Sequence, residues 1–178
     1  MPNYKVLGRA LALAATLALT ACAPRSLPMQ AAPIAPVAAE PANPGQITEM
    51  EAAAIPQRVL QQINTLRGNL SQPPLMLNAQ LSAAAMAHSR DMSAQNRAWH
   101  WGSDGSSPVD RARRQGFTGA LMGENISESY ENDMQTLAAW MSTRATRDVI
   151  MDPAATQLGF AWYQEPSGKI WWTLLTGS

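Results

Sequence analysis

Cysteine is nearly absent: the 178 residues contain one, Cys22. A single thiol excludes an intramolecular disulfide framework and any cysteine-rich zinc module. Histidine is almost as scarce, with only His88 and His100. An excess of one charge is missing too, because 13 basic side chains face 13 acidic ones. That balance argues against a nucleic-acid partner, whose protein would show a basic excess or stripe. Long apolar runs are also lacking. The longest, Ala10 to Leu19, is about half of the roughly 20 residues that span a bilayer.

What is present divides the chain into three. Residues 1–21 carry Lys5 and Arg9, then the apolar run, and no acidic residue precedes Glu40. A short basic start followed by such a run is the pattern of a secretory signal peptide. The run closes on Leu19-Thr20-Ala21-Cys22, which resembles the bacterial lipobox. That resemblance implies cleavage before Cys22 and lipidation of its thiol, so the membrane is an expected partner through this anchor. Two or three acyl chains hold firmly where one holds marginally. Ala23 follows the cysteine, which by resemblance to enterobacterial lipoproteins implies the outer membrane, facing the periplasm. Without Lys5 and Arg9 the chain tips slightly acidic.

Residues 22–48 form the second part, with Pro24, Pro28, Pro33, Pro36, Pro41 and Pro44 among many alanines. Such a stretch buries too little apolar surface to offset its ordering entropy. The composition predicts an extended tether reaching roughly 80 Å at about 3.1 Å per residue.

Residues 49–178 are the third part, one folded domain. Thr48-x-x-Glu51 forms a capping box ahead of Ile55, Val59, Ile63, Leu66 and Leu70, a helical stripe. Pro56 kinks this helix or marks its start. Asn78 caps a second helix carrying Leu81, Ala84, Ala85, His88 and Met92 on one face. Ser107-Pro108-x-Asp110 opens a third, which Gly116 ends, and Asn132-x-x-Gln135 opens a fourth. Alternation then replaces helical spacing. Leu158, Phe160 and Trp162 alternate, as do Ile170, Trp172 and Leu174, with Pro166-Ser167-Gly168 between them. That predicts a β-hairpin, and Gly123 to Tyr130 offers another strand. Helices first and strands last predict an α+β fold with an antiparallel sheet.

The ordered motifs carry a further resemblance. Asn64-x-x-Arg67, Pro74-Leu75-x-Leu77-Asn78 and His88-Ser89-x-Asp91-Met92 come first. His100-x-x-x-Asp104-Gly105-Ser106, Arg111, Gly116-Phe117, Gly123-Glu124-Asn125-Ile126 and Trp140-Met141 follow, before Leu158-Gly159 and Trp171-Trp172. This series resembles the CAP superfamily of SCP-like domains, from about residue 57 to 178. The resemblance implies a three-layer α-β-α sandwich. It also implies a cavity of two histidines and one or two glutamates, which in some members binds a divalent metal. His100 and Glu124 stand at two of those positions. Thr146 stands where the second histidine is expected, and Thr143 where the second glutamate is. A zinc site takes three or four protein ligands, so two survivors predict no tight metal site and no cofactor, with only a weak divalent site conceivable. His88, on an apolar helix face, reads as a core histidine.

The expected function is a lipid-anchored envelope module that binds without catalysis, through a cleft around His100, Glu124 and Thr146. Its expected ligands are cell-wall glycan or peptide (peptidoglycan), a lipid, or an envelope protein. Two alternatives stand beside it. One is a hydrolase or peptidase with His100 and Glu124 as catalytic candidates, His100 acting as base. The other is a purely structural envelope lipoprotein.

Overall fold

A computed structural model describes residues 45–178. The signal peptide, Cys22 and nearly all of the tether lie outside the described residues. Residues 45–47, which the sequence reading placed in the tether, hydrogen-bond to the domain. The Ile47 amide donates to Gln164 Oε1 at 2.8 Å, and Gln164 Nε2 donates to the Gly45 carbonyl at 2.9 Å.

The first helix, α1 (Glu49–Asn69), starts at the expected capping box, with Thr48 Oγ1 accepting from the Glu51 amide and Glu51 Oε2 accepting from the Thr48 amide. Pro56 lies inside this helix and does not begin it. Ile55, Val59, Ile63 and Arg67 form its buried stripe. Arg67 is there for hydrogen bonds. Its guanidinium donates to the carbonyls of Pro73, Ile150, Asp152 and Ala155 at 2.9–3.0 Å. Asn64 takes both backbone groups of Leu75 with its amide. Both motif residues thus serve the scaffold, supplying partners that buried backbone requires.

Asn64 lays the following segment along the sheet as β1 (Met76–Leu77), a two-residue strand that the sequence reading did not include. Next come α2 (Ala79–Gln95), capped by Asn78, and α3 (Pro108–Arg114), capped by Ser107. Then follow β2 (Leu121–Ser129), α4 (Asp133–Ser142), α5 (Arg144–Ile150), β3 (Gln157–Gln164) and β4 (Ile170–Gly177). The sheet order is β1-β3-β4-β2. The expected hairpin is β3–β4, with Trp162 opposite Trp172, and β2 pairs antiparallel with β4. The all-antiparallel expectation is corrected at β1, which pairs parallel with β3: α2 to α5 and β2 separate the two in the chain, so no hairpin turn obliges them to run antiparallel.

Alternation sorts the strand residues into two faces. Leu158, Phe160, Ile170, Trp172 and Leu174 pack with Ile55, Val59, Ile63, Leu137, Trp140 and Ile150, from α1, α4 and α5. Ala161 and Leu175 pack on the other face with Leu81, Ala84 and Ala85 of α2, and with Ala112 and Phe117. Helices therefore cover both faces, and the domain is a three-layer α-β-α sandwich. Coverage on both sides explains why every residue of β4 is buried and why its sequence is almost continuously apolar. Gly159 sets the spacing of one layer. A Cβ there would lie 2.3 Å from the Leu81 carbonyl carbon, so α2 rests directly on β3.

Candidate functional site

Glu124 sits in β2 opposite Leu175 of β4, so its side chain faces the α2 layer. Three groups meet it there. His100, in the loop between α2 and α3, contacts Glu124 Oε1 through Nδ1 at 2.8 Å. Arg111 of α3 donates from Nη2 to Glu124 Oε2 at 2.6 Å. His88 of α2 places Nε2 3.9 Å from Oε1. The carboxylate side chain is 2% exposed and the His100 side chain 55% exposed.

The donors fix the histidine tautomers. A carboxylate accepts, so His100 carries its proton on Nδ1 when neutral, and its Nε2 keeps a free lone pair. The Trp99 carbonyl likewise accepts from His88 Nε2 at 2.9 Å, which leaves His88 Nδ1 deprotonated. That atom is buried and has no hydrogen-bond partner among the described residues. Burial pushes the His88 pKa below its ordinary value, against an opposing pull from Glu124. His88 is therefore neutral at pH 7. Arg111 also donates from Nη1 to the carbonyls of His100 and Ser106, both at 3.0 Å. The backbone on either side of the His100 ring is thus pinned, by His88 at Trp99 and by Arg111 at His100.

Thr146 is engaged elsewhere. Its Oγ1 donates to the Trp140 carbonyl at 2.6 Å and to the Thr143 carbonyl at 3.2 Å. Its own carbonyl accepts from Asn125 Nδ2 at 2.8 Å. Asn125 neighbours Glu124 on the strand, and neighbours point to opposite faces. The expected trio is therefore two residues that touch, His100 and Glu124, and a third whose hydroxyl closes off the end of α4. Among the described residues, no group of three or more His, Cys, Asp or Glu side chains could hold a metal ion. The donor set explains why a divalent ion does not fit here. One oxygen of Glu124 faces His100 and the other binds a guanidinium, so the carboxylate already has its counter-charge.

Two residues beyond the expected trio wall the buried carboxylate: His88, which the sequence alone places simply in the core, and Arg111, which it shows only among the ordered motifs. A signal was available, because a glutamate on the inward face of a strand needs a buried cation or donor. Sequence periodicity does not say which one.

Comparison with known proteins agrees with this architecture. The model of the CAP, cysteine-rich secretory protein family matches residues 60–175. The uncharacterised protein YkwD of Bacillus subtilis is 29% identical over 137 residues, which is 77% of this chain and 52% of the relative. The chain thus spans about half the length of that curated relative. An extracellular SCP-domain protein of Bacillus anthracis superposes with a TM-score of 0.67 at 22% identity, over 78% of this chain and 45% of that one. An outer surface protein of Borrelia burgdorferi gives 0.64 at 14% identity, over 70% and 92% respectively. At these identities the two structures speak for the fold. With the family model covering the domain from the middle of α1 to the end of β4, the chain belongs to the CAP, or cysteine-rich secretory protein, family.

Proposed function

We propose that this protein is a lipoprotein of the bacterial envelope, anchored at Cys22, whose CAP domain is a non-catalytic binding module. In this reading residues 1–21 are removed as a signal peptide, and the Pro/Ala-rich segment spaces the domain from the outer membrane on its periplasmic side. The extracellular and outer-surface descriptions of the two bacterial structural relatives favour an envelope address. The ligand is an envelope component, either peptidoglycan or another envelope protein.

One observation carries the binding reading. His100 is half exposed, yet its ring and its backbone are both held from below, by Glu124 and by Arg111. A ring fixed by packing and buried hydrogen bonds presents its free Nε2 in one direction, at little ordering cost to a ligand. Three candidate hydroxyls are committed away from His100. Ser103 Oγ donates to Asp91, Ser142 Oγ to the Ala139 carbonyl, and Thr146 Oγ1 to the Trp140 carbonyl. No nucleophile–base pair of the serine-hydrolase kind is formed by them. The hydrolase alternative retains one feature, the Glu124–His100 pair, which has the form of a base and its orienting carboxylate.

Co-sedimentation of the purified domain with isolated cell envelopes tests the reading. Wild type should pellet with them, and His100→Ala should lose about tenfold in apparent affinity with its melting temperature little changed. Unaltered binding by His100→Ala would remove His100 from recognition. Turnover of envelope peptides that disappears in the same variant would move the protein to the hydrolase class. Zn²⁺ should leave the melting temperature where it was, because a ligand that does not bind the native state does not stabilise it.

A further inference from the structure

The sheet has two edges, and they are finished differently. Along β2, the Ile126 carbonyl accepts from Trp140 Nε1 at 3.2 Å. Along β3, the two-residue β1 covers only Gln157 and Leu158. Beyond it, no strand among the described residues lies on the outer side of Gly159 to Gln164.

Alternation fixes which backbone groups face this open edge. The Asn78 amide donates to the Leu158 carbonyl at 2.8 Å from the β1 side. The Glu165 amide donates at 2.8 Å to the Lys169 carbonyl, at the entry to β4. Even-numbered residues of β3 therefore direct their N–H and C=O groups away from β4, and Phe160 and Trp162 present theirs to the edge. Among the described residues, nothing pairs with those groups. Yet Phe160 is only 2% exposed, so water does not serve in place of a partner. Buried backbone amides and carbonyls are almost always paired, so this edge requires an occupant.

The chain itself arrives there. Gly45, Gln46 and Ile47 are all held at the far end of the same strand. Gln164 takes the Gly45 carbonyl and the Ile47 amide, and Gln46 Nε2 donates to the Glu165 carbonyl at 3.1 Å. A segment laid back along the edge from Gly45 runs parallel to β3. At about 3.3 Å per residue it passes Trp162 and Phe160 within roughly six residues. The sequence in that place is Ala38-Ala39-Glu40-Pro41-Ala42-Asn43. Glu40 and Ala42 carry N–H groups and stand two apart, as Phe160 and Trp162 do. Pro41, between them, would face outward, where an edge strand tolerates a missing donor. Pro44 has no N–H to give and would end the pairing. Alanine side chains suit an edge that opens between two helix layers.

We propose that residues 38–43 add to the sheet as a further strand, parallel to β3. The Glu40 and Ala42 amides would donate to the carbonyls of Phe160 and Trp162. The carbonyls of Ala38 and Glu40 would accept from the Phe160 and Trp162 amides. Docking withdraws these residues from the spacer of the preceding reading. The remaining length, Ala23 to Val37, reaches roughly 45 Å at about 3.1 Å per residue, so the domain works closer to its anchor. The inference concerns the tether alone, and its failure leaves the envelope-binding reading where it stands.

Amide hydrogen exchange followed by NMR tests it, on the chain from Ala23 to Ser178, which carries the whole tether and every element described. The Phe160 and Trp162 amides should exchange about 100-fold or more slower than open-chain amides. Glu40→Pro combined with Ala42→Pro removes both tether donors and alters no residue of the described core. It should speed exchange at Phe160 and Trp162 about tenfold or more and leave the β4 amides as they were. Ala39→Cys introduces the sole thiol of that chain, and a nitroxide attached there should broaden the Phe160 and Trp162 signals selectively. Three results would overturn the proposal: open-chain exchange at both amides in the unaltered chain, protection that the double proline variant leaves in place, or a label that broadens no β3 signal. Protection that rises with protein concentration, together with a dimer mass in light scattering, would give the edge to a second copy and equally reject it.

Discussion

His88 is the residue on which the site's acid sensitivity turns. Its ring is fully buried and its pKa lies below the ordinary 6.5 because burial disfavours the charged form. Above pH 6.5 the ring is neutral in both the folded and the unfolded chain, and the fold keeps its full stability. As pH falls through that value, the unfolded chain takes up a proton that the folded one resists. Stability is then lost, with a slope of up to about 1.4 kcal/mol per pH unit. Asp104 and Glu165 are held below the usual carboxylate range, by Ser106 and Arg114 and by Trp171 and Ser93 respectively. They contribute only at lower pH. His88→Gln keeps a donor for the Trp99 carbonyl and should reduce the loss of stability just below pH 6.5 in chemical denaturation series. An unchanged slope would assign the acid sensitivity to other groups.

At the scale of elements, contact between α2 and β3 is the least forgiving. Ala84 and Ala85 face Ala161, and Gly159 lies under Leu81. Gly159→Ala pushes a methyl group into helix backbone, which cannot rotate away as a side chain can. It should cost about 3 kcal/mol, read as a lowered denaturation midpoint at constant slope. A normal midpoint would mean that α2 shifts freely over the sheet.

The elements also show what the sequence reveals and where it stops. Four helices announce themselves through caps that the structure contains: Thr48, Asn78, Ser107 and Asn132 each accept from a first-turn amide. The hairpin follows from alternation, while the three layers are what the family resemblance implies. By contrast, α5 is seven residues with a single buried side chain, Ile150, and no side-chain cap, so no stripe advertises it. Strand β1 exists because an asparagine one helix away takes its entry backbone. The site divides the same way. His100 and Glu124 were placed by resemblance to a family motif, and the structure joins them. Arg111 and His88 were not joined to them, because inward-facing positions can be read from spacing while the polar groups that meet inside cannot.

For the molecule as a whole, the sheet is closed by its last strand. β4 lies between β3 and β2, and all eight of its residues are buried. Removal of residues 170–178 should abolish cooperative unfolding and near-ultraviolet circular dichroism, since β2 is left unpaired and β3 keeps only the two-residue β1. A truncated chain that still melts cooperatively would mean that the α2–β3 pair folds alone.

The central position of β4 has a consequence in time as well as in space. The helices and β2 lie earlier in the chain than the strand they share, so they gain that partner only when Ile170–Gly177 joins the sheet. The order of strands thus sets an order in folding, with local helices first and the sheet completed by β4.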